Sequence, residues 1–186
     1  MKKLFLSLAF ILSYSISAQS NIYFQNYTPY IMEMSIFKTN QANVAGGCTP
    51  NWDGRNSITG LLPLKESPTG GATSTDAFYD SDLNLSNTFN PMYPQTPLID
   101  RWILNADYAN PYILPGSTIP ASSLAAKDLG MKFGVKDPVT GTNVAGYFPL
   151  GYVNCGALPL LNTAAYTTLF NSSYFTFGGD EWVIFF

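Results

Sequence analysis

The chain contains no histidine among its 186 residues. That absence removes Ser–His–Asp and Cys–His nucleophilic sites, histidine-ligated zinc and the usual neutral-pH general base. Charge is also scarce, at 11% Asp, Glu, Lys and Arg. No apolar run reaches the length of a membrane-spanning helix. Neither G-x-x-x-x-G-K-[ST] nor G-x-G-x-x-G occurs, so no phosphate-cradling loop is expected. Heptads, low-complexity tracts and internal repeats are missing too. With 46% apolar residues the chain is not a candidate for disorder.

The first segment reads MKKLFLSLAFILSYSISAQS. Lys2 and Lys3 precede an apolar run from Leu4 to Leu12, followed by small polar residues up to Ala18. This is the order of a bacterial secretory signal, and the run is too short to cross a bilayer. Cleavage is expected after Ala18, giving a signal peptide over 1–18 and one exported domain over 19–186, with no transmembrane segment after cleavage. Past residue 18, seven cations face twelve carboxylates, a net charge of −5. An acidic surface of that kind argues against nucleic acid and anionic membranes as partners. Secretion, the periplasm or the cell surface is the expected location.

Two cysteines, Cys48 and Cys155, follow the signal and stand 107 residues apart. In an oxidising compartment an even count reads as one disulfide.

Most of the remaining sequence consists of short apolar-alternating runs punctuated by Gly, Pro and Asn. IYFQN and YIMEMSIFK flank Tyr27-Thr28-Pro29 and read as two strands in close succession. In the second, Tyr30, Met32, Met34 and Ile36 share a face destined for the core, with Glu33 and Ser35 on the other. DRWILN places Trp102 and Leu104 opposite Arg101 and Ile103. MKFGVKDPVTGTNVAGYF reads as a hairpin turning at Asp137–Gly141, with Met131, Phe133 and Val135 inward and Lys132 and Lys136 toward water. Between Thr39 and Leu98 periodicity is weak, and short strands are expected near 61–64 and 83–89. Helix is limited to two short segments at most, 122–130 and 162–171. The end of the chain, SYFTFGGDEWVIFF, reads as a hairpin over Gly178-Gly179-Asp180. In its last strand both faces are apolar, which predicts burial from both sides. The fold class this implies is all-β: an antiparallel β-sandwich, jelly-roll or immunoglobulin-like in layout.

For function, the sequence points to a secreted binding or structural module whose partner is a glycan or a surface protein. Aromatic faces bordered by amides and carboxylates suit sugar rings, and CTPNWDGRN (48–56) is the preferred stretch. Trp52, Asp53 and Arg55 are the candidate ligand-binding residues. Trp52 has two readings, a platform for the ligand or a plug at the end of the core.

Two alternatives remain, a hydrolase with paired carboxylates and a small outer-membrane barrel. The hydrolase would draw on Asp53, Asp76, Asp80, Asp82, Asp100, Asp107, Asp180 and Glu181, without any pair singled out as catalytic. Asp80, Asp82 and Asn84 alternate as the first ligands of an EF-hand do, but Leu85 replaces the turn glycine and Pro91 the closing glutamate. No metal or other cofactor is therefore expected.

Overall fold

A computed structural model describes residues 21–40, 42–83, 89–115, 118–126, 128–151 and 168–186. Eleven strands form two sheets that pack face to face as a β-sandwich. Sheet A runs β10 (Ser172–Phe177), β11 (Asp180–Phe185), β1 (Ile22–Asn26), β5 (Thr75–Tyr79). Sheet B runs β7 (Tyr112–Ile113), β6 (Arg101–Leu104), β3 (Trp52–Arg55), β2 (Ile31–Thr39), β8 (Asp128–Lys136), β9 (Asn143–Gly151), with β4 (Leu62–Leu64) also on β2. The described strands do not close into a barrel, so the barrel alternative gives way to an open sandwich. Among the described strands pairing is antiparallel except between β1 and β11, which run parallel. No helix among the described residues is long and apolar enough to cross a membrane.

Alternation decides which side chains meet between the sheets. Phe24, Ala77, Tyr79, Val183 and Phe185 come from sheet A, and Met32, Met34, Ile36, Phe133 and Val135 from sheet B. Phe133 and Phe185 touch across the interface, edge to face, with ring centroids 4.8 Å apart.

β1 and β2 are not partners. The residues between them turn a corner from one sheet to the other, and a fully buried Asn26 holds it. Its amide nitrogen donates to the carbonyls of Tyr30 and Lys65 at 2.8 Å each, and its oxygen accepts from the Thr28 amide and hydroxyl. A buried side chain with its donors and acceptor satisfied is a secure hinge between layers.

One edge of β2 is shared by two strands. β8 takes the whole of the other edge, from Ile31 to Thr39, while β3 pairs over Ile36–Lys38 and β4 over Met32–Met34. The expected strand near 61–64 is β4. Strand β5 lies at Thr75–Tyr79, just before the EF-hand-like Asp80, Asp82 and Asn84, because Thr75, Ala77 and Tyr79 alternate into the core. Residues 84–88 of the other expected strand lie outside the described residues.

The expected helix at 122–130 is replaced by a 3-10 turn over Ala121–Ala125, after which Asp128–Gly130 open β8. A two-turn helix is marginal on its own, and nine residues of pairing with β2 outweigh it. Most of the second expected helix, 162–167, lies outside the described residues.

The closing hairpin forms as expected. Gly178 and Gly179 have φ of 65° and 93°, the left-handed values a two-residue turn requires, and Phe177 pairs with Asp180 across it. Val183 and Phe185 are fully buried, while Trp182 and Ile184 are half-buried on the outer face.

Candidate functional site

The alternation of β3 separates the three candidate residues. Trp52 points into the core with 1% of its surface exposed and packs edge to face on Tyr112. Asp53 and Arg55 project together from the outer face of sheet B. The ring of Trp52 is thus placed among the plugs of the core and is not presented to solvent.

Asp53 is only 2% exposed. Its Oδ2 accepts from Arg55 through both Nε and Nη2 at 2.8 Å, and from the Tyr108 hydroxyl at 3.4 Å. Its Oδ1 is buried and has no partner. The Arg55 guanidinium lies over the Tyr108 ring, 5.0 Å from the centroid. Burial pushes the Asp53 carboxyl above its ordinary value, and the neighbouring Arg55 offsets part of the rise. A buried acceptor left open is costly unless something donates to it.

Asp53 lines a cleft of about 330 Å³. Phe37 and Thr39 of β2, Asn51 before β3, Asn105 and Tyr108 after β6, and Lys132 of β8 form its walls. Strand register sets the walls from β2 and β8, and the irregular turn after β6 sets the rest. Phe37 stands beside Asp53 in register, and Asn51 and Asn105 are tied by two bonds: the Asn51 amide donates to the Asn105 side-chain oxygen at 2.9 Å, and the Asn105 amide donates to the Asn51 carbonyl at 2.7 Å. Asn105 and Ala106 both adopt left-handed φ, which turns the chain so that Tyr108 returns over Arg55. Lys132 sits over the Phe37 ring at 5.7 Å.

The loop before β3 closes one end of the cleft through Gly47 and Thr49. Asn43 organises it, accepting from the Gly46 amide at 3.2 Å and donating to the Thr49 carbonyl and hydroxyl. Cys48, buried in this loop, is not a free thiol. Its expected partner, Cys155, lies outside the described residues.

Of the eight carboxylates weighed for a hydrolase, only Asp53 lines this cleft. The acidic loop after β5 meets a cation from the protein itself. Lys38, on the inner face of β2 and fully buried, donates from Nζ to the Asp82 carbonyl at 3.2 Å and lies 3.8 Å from Asp82 Oδ1. Asn84, the third member of the EF-hand-like alternation, lies outside the described residues. Among the described residues no three Cys, Asp or Glu side chains converge as a metal site would require.

A second aromatic feature crosses the outer face of sheet A. Register aligns Phe175, Trp182, Tyr23 and Phe78 in one row over the four strands. Trp182 and Tyr23 stack at 4.5 Å and 13°, Tyr23 meets Phe78 at 4.9 Å, and Tyr93 stacks on Phe78 at 5.3 Å. The stacked rings cover β11 from outside, and Tyr23, Phe78 and Tyr93 also line a second cleft of about 430 Å³ together with Phe89.

Of the cleft residues, Phe37, Asn105, Tyr108 and Lys132 were not singled out from the sequence. For Lys132 a signal was present, since alternation in β8 already sends it to the solvent face. For Tyr108 none was, because it sits in an irregular turn after β6. The chain matches no known family model, no curated protein and no solved structure.

Proposed function

We propose that the protein is an exported carbohydrate-binding module that holds a saccharide in the cleft over Asp53. The observation that carries this reading is the cleft itself, walled by two aromatic rings, two amides and two threonine hydroxyls around the buried carboxylate of Asp53. Sugars present hydroxyl donors beside apolar ring faces. The amide and hydroxyl side chains supply hydrogen-bond partners, and the Tyr108 and Phe37 rings supply apolar contact. Export through the 1–18 signal and a Cys48–Cys155 disulfide belong to the same proposal, the latter anchoring the loop that closes the cleft. A hydrolytic reading is less well supported, because cleavage of a glycosidic bond needs two carboxylates and the cleft supplies one.

The test is a glycan array followed by calorimetric titration of the best binders. Tyr108→Ala and Asp53→Ala should each weaken binding about tenfold or more, equivalent to at least about 1.4 kcal/mol. Tyr108 is 48% exposed, so its variant should melt with the wild type and separates lost binding from lost fold. An array without a binder, or two variants that bind as tightly as the wild type, overturns the proposal.

A further inference from the structure

The outer face of sheet B carries a row of cations beside the cleft. Register places Lys132 opposite Ser35 and Arg55 opposite Arg101. Ser35 follows the Ile36–Gly54 pair, which brings it level with Arg55. The row therefore reads Lys132, Ser35, Arg55, Arg101 across four adjacent strands. With strands about 4.8 Å apart, the outer cations are separated by about 14 Å at the backbone.

Two facts make this row unlike an ordinary solvated surface. Arg55 and Arg101 are directly opposite each other, where like charges are destabilising. Arg101 has no ion pair among the described residues, and its Nε is buried without a hydrogen-bond partner. The carboxylates described on this face are already matched: Glu33 accepts from Lys136 at 3.0 Å, and Asp53 is held by Arg55. Lys132 and Arg101 are left as excess cations on a protein whose overall charge is negative. An anion laid along the row compensates the excess positive charge of Lys132 and Arg101.

We infer that the saccharide this cleft takes is an acidic one, lying across the strands with its carboxylates on Lys132, Arg55 and Arg101 and a hydroxyl on Asp53. This rests on the saccharide reading of the cleft.

The experiment titrates the exported chain with acidic oligosaccharides (galacturonate, guluronate, glucuronate and sialate series), each beside its neutral methyl ester. The acid should bind roughly tenfold more tightly than its ester at low salt, and the gap should narrow at about 0.5 M salt. Arg101→Gln should remove most of that gap and leave ester binding unchanged, Lys132→Gln should narrow the gap, and Arg101→Lys should retain it. Equal affinity for acid and ester, or an Arg101→Gln variant that keeps the gap, overturns the inference and leaves the saccharide reading standing. A single-stranded oligonucleotide of equal charge binding as tightly overturns it as well, in favour of unspecific polyanion attraction. If no saccharide of either kind binds, the reading of the cleft fails and the inference with it.

Discussion

The two oxygens of Asp53 have different surroundings, one held by Arg55 and Tyr108 and one buried and open. The carboxyl titrates above its ordinary 3.8 because burial outweighs the pull of Arg55. A raised value means that the fold favours the protonated form. That contribution is complete below 3.8 and is lost as pH climbs through the folded-state value. Asp53→Asn carries no titrating group, so the corresponding fall should vanish from its stability–pH curve. Melting temperatures from about pH 3 to about pH 7 check this, with the wild type declining relative to the variant as pH rises.

Lys38 gives a prediction of the opposite kind. Burial lowers its ammonium below the usual lysine value, and Asp82 and Asp80 restrain the drop. Replacing the lysine removes a charge that the core disfavours, whereas removing Asp82 leaves that charge less compensated. Lys38→Met should melt at or above the wild type, and Asp82→Ala below it by about 1 kcal/mol, a modest figure because Asp82 is 41% exposed and screened. Thermal melts of both variants decide the matter, and the reverse order would show that the lysine is a net stabiliser.

Among the elements, β11 carries the most consequence. It lies between β10 and β1, so its loss opens both ladders and empties the core positions of Val183 and Phe185. Burying those two side chains contributes about 1.5–3 kcal/mol each, a large part of the roughly 5–15 kcal/mol that holds a domain together. Deleting residues 182–186 should abolish soluble, cooperatively melting protein, as measured by yield and calorimetry. This strand was legible because its turn glycines mark the hairpin and its run of large apolar residues marks a strand. With both faces apolar, the alternation did not say which pair is innermost. β3 was not, since WDGR alternates a core Trp with a salt-bridged Asp and carries a glycine in its middle. A Cβ at Gly54 would come within 3.2 Å of the Ile99 side chain, which would have to give by a few tenths of an ångström to admit it. β5 was obscured by the aspartates that flank and interrupt it, although its inward residues are apolar or small. In both, tertiary packing overrode a weak local preference.

For the whole molecule, the two-sheet architecture was legible from the density of short strands and the scarcity of helix. The site was legible only in part. Asp53 and Arg55 stood in the stretch the sequence favoured, but the cleft gathers β2, β3, β8 and the turn after β6, segments distant in the chain that meet only through register. Trp52 shows the same limit, because neighbouring residues on a strand face opposite ways and proximity in sequence separated it from Asp53. A Cys48–Cys155 bond would close a loop of 107 residues, worth about 4–5 kcal/mol on the chain-entropy model. Reduction should lower the melting temperature accordingly, and alkylation of unreduced, unfolded protein should find no reactive thiol. Two alkylated cysteines would remove the bond from the account.

The parallel partnership of β1 with β11 has a consequence in time. Asn21 and Asp180 bond at 3.0 Å across 159 positions of sequence, and the whole of β1 waits on the same distant neighbour. As a chain emerges from synthesis at about 5–20 residues per second, its earliest strand spends many seconds with one edge vacant. Sheet A cannot assemble early, however favourable its parts. Such long-range closure places refolding in the slow regime of about milliseconds to seconds. Under the proposed export, a polypeptide that stays loose until β11 arrives is one that a translocation channel can still thread.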